Sequence, residues 1–270
     1  MDGARAEIGV FGGSGLYRLL DNVTWHAIAT PFGEPSDEIA IGNMGDRELA
    51  FMPRHGRKHT LQPAAINYRA NLWAMHSIGV TRIIAPTAVG SLQPQIKPGE
   101  LVVSDQFVDR THGRADTYFD AGPKVVHISP AHPYCPVLRE VALEAARTGD
   151  LAVHERGTVV VIQGPRFSTR AEGSWFSSMG WDIVNMTQYP EVILARELEM
   201  CYLNISLVTD YDAGLEGRPE IKPVSVEDVE RFFVENIDRV RQLILRLIPT
   251  IPAERSCPCA TAMRGATVGG

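Results

Sequence analysis

Asp210-Tyr211-Asp212 places two carboxylates two residues apart, directly after an uncharged, mainly apolar run over 202–208. If that run is a strand continuing through them, both side chains point to the same face. Two close carboxylates repel, so one of them holds a proton near neutral pH. A protonated acid can donate to a leaving group while its neighbour accepts a hydrogen bond; a polar turn or a cation site would use the same residues. Arg54-His55-Gly56-Arg57-Lys58-His59-Thr60 concentrates donors suited to a phosphate behind another apolar run, although a solvated basic turn has the same composition. Gly12-Gly13-Ser14-Gly15 follows the apolar run 7–11; its glycines let amides approach an anion, and Ser14 adds a hydroxyl. It is neither a dinucleotide fingerprint, since Arg18 stands where the last glycine would be, nor a Walker loop. A tight turn is the alternative. Thr87-Ala88-Val89-Gly90 is small enough to turn amides and a hydroxyl toward a ligand, or is an ordinary exit from a strand. In the segment 163–172 and in Asn185-Met186-Thr187, Phe167 could stack on a flat base and Met186 could pack under a sugar, or both could serve the core.

The elements that must hold these residues are legible from periodicity. Short apolar runs predict strands over 7–11, 25–29, 38–42, 48–52, 82–86, 101–104, 157–162, 183–184 and 202–208. Helical spacing predicts helices over 63–78, with Thr60 helping to cap the start and Gly79 ending it, and over 136–147, 170–179 and 190–200. The last helix is the clearest: Ser225 and Asp228 form a capping pair, and Val226, Val229, Phe233, Ile237, Val240, Ile244 and Leu247 form one apolar face. Strands alternating with helices imply an α/β fold, a single domain over 1–252 with a central mixed sheet flanked by helices. The candidate residues all fall at strand ends, where open α/β sheets bind ligands. The segment 253–270 is small and polar without periodicity, and is expected to be mobile or docked on a partner subunit.

Composition narrows the function. The 270 residues are 44% hydrophobic and 21% charged, with a formal net charge of −6, an ordinary globular balance that suits neither nucleic acid nor an anionic membrane as partner. The N-terminus does not read as a secretory signal, and no apolar stretch approaches the ~20 residues of a membrane span; a soluble, cytoplasmic protein is expected. The four cysteines, Cys135, Cys201, Cys257 and Cys259, have the spacing of neither a disulfide framework nor a zinc site, so no metal is expected. Cys257-Pro-Cys259 is read as two free thiols in the tail, with a local disulfide as the alternative.

Taken together, Gly12-Gly13-Ser14-Gly15-Leu16, Arg54-His55-Gly56-Arg57, Asn67-Tyr68-Arg69-Ala70-Asn71, Thr87-Ala88-Val89-Gly90-Ser91-Leu92, Asp105-Gln106-Phe107, Gly164-Pro165-Arg166-Phe167-Ser168, Asn185-Met186-Thr187 and Thr209-Asp210-Tyr211-Asp212 resemble, in order, the trimeric purine nucleoside phosphorylase family, and specifically its methylthioadenosine phosphorylase branch. The resemblance extends from Ile8 to about Ile251. It implies phosphorolysis of S-methyl-5'-thioadenosine to adenine and 5-methylthioribose-1-phosphate by a homotrimer, with inorganic phosphate as co-substrate and no cofactor. It implies a phosphate site of Ser14, Arg54, His55, Thr87, Ala88 and Thr187. Phe167, Ser168 and Met186 would contact base and ribose, with Asp210 facing purine N7 as the proton donor and Asp212 the exocyclic amine. His127 would reach a neighbouring subunit's 5'-substituent pocket, lined by Val224, Val226 and Val229.

The resemblance also bears on base and sugar. The 6-oxopurine branch carries Asn where Asp210 stands; a 6-amino group needs an acceptor, so the aspartate pair favours adenine. Valines suit a methylthio group and reject a 5'-hydroxyl only by roughly 10². Departures from the pattern are Val89, Glu230 beside the 5' pocket, and the loop 214–222. Three other readings share the motifs: a phosphorylase for adenosine, 5'-modified deoxyadenosines, 6-oxopurine nucleosides or methylthioinosine; a nucleosidase using water; and a non-catalytic nucleoside-binding protein.

Overall fold

The computed structural model describes residues 4–12, 20–215, 218, 221 and 224–268. In chain order these form β1 (Ile8–Gly12), β2 (Asp21–His26), β3 (Ile39–Met44), β4 (Arg47–Pro53), α1 (Tyr68–Ser77), β5 (Arg82–Ser91), β6 (Leu101–Val102), β7 (Gln106–Arg110), β8 (Val125–Val126), α2 (Pro136–Thr148), β9 (Val153–His154), β10 (Thr158–Ile162), α3 (Arg170–Ser178), β11 (Ile183–Asn185), α4 (Gln188–Glu197), β12 (Cys201–Asp210), α5 (Val226–Thr250) and β13 (Thr267–Val268). Eleven of these strands make one mixed sheet with a path β2-β3-β4-β1-β5-β11-β10-β7, while β12 lies between β5 and β6, and β9 pairs β6. The expected α/β architecture with a mixed sheet is therefore present.

Two-residue periodicity divides the sheet's side chains between two helical layers. Ile8, Val10, Ile84, Leu203, Ile205 and Leu207 pack with Leu138 of α2 and Val240, Leu243, Ile244 and Leu247 of α5. Phe11, Met52, Ile83 and Tyr202 turn the other way, onto Leu72 and Met75 of α1 and Val192 and Leu194 of α4. With both faces covered, β5 and β12 read as apolar runs rather than alternating ones.

The strand β5 is the hinge of the sheet. One edge pairs with β12 along its length. The other pairs with β1 from Arg82 to Ile84 and with β11 only at Gly90 and Ser91. Among the described residues no strand pairs with that edge from Ala85 to Val89, so the sheet splays open beside Thr87.

Several local readings need correction. The helix expected over 63–78 is a short 3-10 turn at Pro63–Ala65 followed by α1 from Tyr68; Asn67, not Thr60, caps it by accepting the Ala70 amide at 3.2 Å. Ile66 between them is extended. At α5 the Ser225 hydroxyl accepts the Asp228 amide at 3.1 Å, as expected, while the Asp228 carboxylate turns to the Ser225 hydroxyl. The apolar stripe of α5 is buried from Val240 onward, but Val226 is 55% exposed. The tail is not a loose appendage: Cys257 and Cys259 are buried in the α2–α5 core, and β13 pairs antiparallel with β8. The physical reason is that the few apolar side chains of the tail find a place under Ile251 and α2, which composition alone does not disclose. Among the described residues no helix is long and apolar enough to cross a membrane.

Candidate active site

Arg54 follows β4, and its side chain enters the gap beside β5. Its Nε and Nη2 donate to Glu191 at 2.7 and 2.9 Å, and Nη1 donates to the Pro86 carbonyl at 3.2 Å. Both ends of the ion pair are buried, at 4% and 0% exposure, and Tyr202 adds a third donor to Glu191 at 2.8 Å. Burial alone would disfavour the cation, but Glu191 outweighs it and holds the Arg54 pKa above its ordinary value. The charge is thus fixed in place at the mouth of the sheet. The Nδ1 of His55 lies 2.8 Å from the Leu61 carbonyl. A carbonyl only accepts, so Nδ1 carries the hydrogen, and burial lowers the pKa to about 4. The neutral ring therefore presents Nε2 as an acceptor.

Thr87 is set by a buried polar network. Asn204 donates to Thr87 Oγ1 at 3.0 Å, and its carbonyl accepts from Ser206 at 2.7 Å and Ser104 at 2.9 Å. Ser206 has spent its one hydrogen, so the Thr87 hydrogen can go to Ser206 Oγ, 3.2 Å away, or to a ligand. Ala88 beside it is half-buried. Thr187 precedes α4, is buried, and makes no side-chain capping bond; it stands four residues before Arg54's partner Glu191. Ser14 lies outside the described residues.

Asp210 and Asp212 meet next to Gly90. A Cβ on Gly90 would come within 2.9 Å of Asp210 Oδ1 and of Asp212 Cβ, so glycine is required for this approach. The two aspartates are not same-face neighbours on a strand, as expected from spacing. The strand β12 ends at Asp210, and Asp212 has a φ of 48°, so the chain turns and the Asp212 amide donates to Asp210 Oδ1 at 2.6 Å. Burial is the main reason that the Asp210 pKa is raised to about 6, with the Asp212 charge a smaller contribution. Burial also raises the Asp212 pKa. Ser168 stands near enough to favour the Asp212 carboxylate, yet among the described residues neither Ser168 Oγ nor Asp212 Oδ2 completes a hydrogen bond. An unsatisfied buried carboxylate oxygen suits a ligand's donor.

Thr209 Oγ1 lies 2.7 Å from Asp210 Oδ2 and 3.3 Å from the Val89 carbonyl. One hydroxyl hydrogen serves either the carboxylate or, when Asp210 is protonated and donates, the carbonyl. Thr209 therefore accommodates both protonation states.

Met186 packs against Gly164, where a Cβ would lie 2.6 Å from its sulfur. Arg114 ties the surrounding loops together by donating to the carbonyls of Met186 and Gln163, each at 2.9 Å, and of Tyr189 at 2.5 Å. Phe167 and Met186 are half-buried. Val224 is held beside Asp212 by its amide, which donates to the Asp212 carbonyl at 2.9 Å. Val226 and Val229 occupy the first turn of α5, Val226 facing solvent in the single chain. His127 does not join the group within one chain: it is exposed, beside the β8–β13 ribbon, with its amide bonded to the Ala266 carbonyl at 2.8 Å. A cavity of about 360 Å³ is lined by Arg110, Gln163, Gly164, Arg166, Glu172 and Trp175, and so adjoins Met186 through Gly164. It contains neither Arg54 nor the aspartates, so the convergence of donors and carboxylates, rather than the volume, locates the site.

Sequence reasoning passed over Glu191, Asn204 and Arg114, and named Asn185 only within its motif. Glu191 and Asn204 are buried polar residues inside apolar-looking elements, which is itself a usable signal. Asn185 is buried with both amide atoms unpartnered among the described residues. Arg114 carried no local pattern.

A splayed α/β sheet with an anchored cation, a hydroxyl held in a polar network and a buried acid pair at its strand ends has the chemistry to take an anion and a heterocycle. Residues 7–249 match the family model of the phosphorylase superfamily. The chain is 50% identical to a purine nucleoside phosphorylase from Streptomyces coelicolor, over 98% of this chain and 97% of that one, and 51% identical to an S-methyl-5'-thioadenosine phosphorylase from Mycolicibacterium smegmatis, over 93% of each. A solved methylthioadenosine phosphorylase from an Antarctic soil metagenomic library superimposes with a TM-score of 0.91 at 39% identity, covering 98% of this chain and 93% of that one. The chain belongs to the phosphorylase superfamily.

Proposed function

We propose that this chain phosphorolyses S-methyl-5'-thioadenosine, a pentosyl transfer to inorganic phosphate that releases adenine and 5-methylthioribose-1-phosphate. The observation that carries the reading is the buried Asp210–Asp212 pair, one carboxyl poised near neutrality and the other with an unsatisfied oxygen. Phosphate sits against Arg54, Thr87, Ala88 and Thr187, with Ser14 completing the site, and His55 Nε2 accepts from its P–OH group. A phosphate oxygen forms the bond to C1' as the C1'–N9 bond breaks, and the bonding pair passes into the purine. Protonated Asp210 donates to N7, which offsets that charge; Asp212 Oδ2 accepts from the 6-amino group. Asp210 regains its proton from solvent after adenine leaves. No cofactor is required by this chemistry.

Phe167, Ser168 and Met186 contact base and ribose. The active assembly is a homotrimer, because the exposed Val226 and His127 make sense as two walls of a 5' pocket from different subunits, with Val224 and Val229 completing it. The reaction belongs to purine salvage, and the protein acts in the cytoplasm.

Base release is followed from methylthioadenosine, adenosine, methylthioinosine and inosine, each with and without phosphate. Adenine release that requires phosphate and is fastest from methylthioadenosine supports the reading. Phosphate-independent release makes the protein a nucleosidase, binding without release makes it a mere binder, and preference for hypoxanthine nucleosides overturns the role given to Asp210. Sedimentation analysis checks the trimer.

A further inference from the structure

The active site uses none of the chain's cysteines, yet the fold gathers all of them. Cys135, Cys201, Cys257 and Cys259 are buried and free, and their sulfur atoms all lie within 4.8 Å of one another. They come from three places: Cys135 immediately precedes α2, Cys201 opens β12, and Cys257 and Cys259 flank Pro258 in the C-terminal segment. A single buried cysteine behaves as a small hydrophobe. Apolar packing gives no reason for four sulfurs from separate segments to face a common point.

Two kinds of chemistry use such a cluster. Disulfides would join the sulfurs two by two at ~2.05 Å and need no common centre; the sulfurs of Cys201 and Cys257 are 3.2 Å apart. A tetrahedral zinc with Zn–S bonds of ~2.3 Å sets its four sulfurs about 3.8 Å apart. The observed spacing brackets that value, so shifts of up to about 1 Å would close the tetrahedron. The surroundings suit a thiolate set. Cys135 is the N-cap of α2, whose positive end favours a thiolate, and Arg82, Arg255 and Glu254 line the small gap beside Cys135, Cys201 and Cys257. Arg82 is already paired with Glu7, so Arg255 and the α2 terminus oppose the net negative charge of four thiolates around a divalent ion.

We propose that Cys135, Cys201, Cys257 and Cys259 bind one zinc ion as a tetrathiolate site. On binding, each thiol gives up its proton to solvent and contributes one sulfur ligand. Four protein ligands leave no open position, so the site is structural. It sits at the opposite end of β12 from Asp210, about 30 Å away at ~3.3 Å per residue, and it fastens the C-terminal segment to the body of the domain.

The test uses the full chain, expressed with zinc in the medium and purified without chelator or immobilised metal. Metal content is measured by mass spectrometry, and thiols are titrated in the native and the denatured, chelator-treated states. The expected result is about one zinc per chain, thiols protected in the native protein, and all four reactive after denaturation. Replacing zinc with cobalt should give the intense visible absorption of tetrahedral cobalt thiolate. The double variant Cys257→Ser, Cys259→Ser should lose the metal, and stripping zinc should lower the Tm by several degrees at unchanged low-temperature turnover. Unreactive thiols in denaturant without reductant would identify two disulfides and overturn the proposal. So would four reactive thiols with zinc well below one per chain in a zinc-supplemented preparation.

Discussion

The Asp212 amide donates to Asp210 Oδ1 at 2.6 Å, which locks the orientation of a buried carboxyl whose pKa is raised to about 6. Asp210 is the proton donor only while protonated, so kcat/KM should fall as pH rises through about 6, and Asp210→Asn should abolish that limb while lowering turnover of methylthioadenosine by ~10²–10⁴. Stability moves in the same direction. The folded pKa lies above the ordinary 3.8, so ionising Asp210 costs folding energy as pH rises from about 4 through 6, on the order of 2–3 kcal/mol. Asn carries no such charge and still accepts the Asp212 amide. Thermal unfolding at pH 8 should therefore show the variant more stable than the parent; equal or lower Tm would mean that Asp210 is solvated in the folded chain.

The close approach at Gly90 gives a second prediction. In Gly90→Ala, the added Cβ meets Asp210 Oδ1 and Asp212 Cβ at 2.9 Å and the Asp212 amide at 3.1 Å, all held by the end of β12 rather than by flexible side chains. The loop bearing both aspartates must move. Turnover should drop at least ~10²-fold, since misplacement of about 1 Å costs that much, with little change in phosphate binding. Parent-like kinetics would show that the loop absorbs the methyl without moving its carboxylates.

These two residues also show what was legible in the sequence. The run ending at Asp210 announced a buried strand, and the aspartates after it announced a site, because an apolar run fixes burial and strand ends bind ligands. The turn at Asp212 did not announce itself, since nothing in Asp-Tyr-Asp requires φ of 48° until Gly90 is seen to sit against it. Elements with their own periodicity, such as α2 and α5, were readable. The pairing of β13 with β8 was not, because the partners Thr267 and Val126 are two-residue strands far apart in sequence. The cysteines escaped for the same reason: only folding brings Cys135 and Cys201 to Cys257. Glu191 was hidden in a helix, where a glutamate ordinarily faces water.

Arg54 and Glu191 are both almost fully buried. Removing one partner of such a pair leaves the other charge uncompensated, at ~3–5 kcal/mol. Glu191→Ala should lose about that much in denaturant unfolding. Glu191→Gln, which keeps an acceptor, should lose less but raise the KM for phosphate more than that for nucleoside. If both variants are as stable as the parent, Arg54 has found another partner.

For His55, burial holds the ring neutral with a pKa of about 4, below the ordinary 6.5, outweighing the bond to the Leu61 carbonyl, which favours the cation. A histidine with a depressed folded pKa contributes stability that is fully present above about 6.5 and lost as pH falls toward 4. Between those values, His55→Ala should show a flatter stability profile than the parent. At neutral pH it should raise the KM for phosphate by roughly tenfold, the value of one hydrogen bond of about 1–1.5 kcal/mol, with nucleoside KM nearly unchanged. An unchanged phosphate KM would remove His55 from the anion site.

His127 provides the test of the shared pocket. It is exposed on its own chain and lies beside the β8–β13 ribbon, far in sequence from Val224, Val226 and Val229. If it closes a neighbour's 5' pocket, His127→Ala should raise the KM for methylthioadenosine several-fold, leave the phosphate KM alone, and narrow the preference for methylthioadenosine over adenosine. Mixing experiments make the assignment to a neighbour direct. Trimers reassembled from His127→Ala chains and chains inactivated by Asp210→Asn contain sites that pair an intact Asp210 with the mutant His127 from its own kind and others that pair it with an intact His127 across the interface. Recovery of parent-like KM in a fraction of sites places His127 in the neighbouring site. A KM that stays at the His127→Ala value in every mixture would put it in its own chain's site instead.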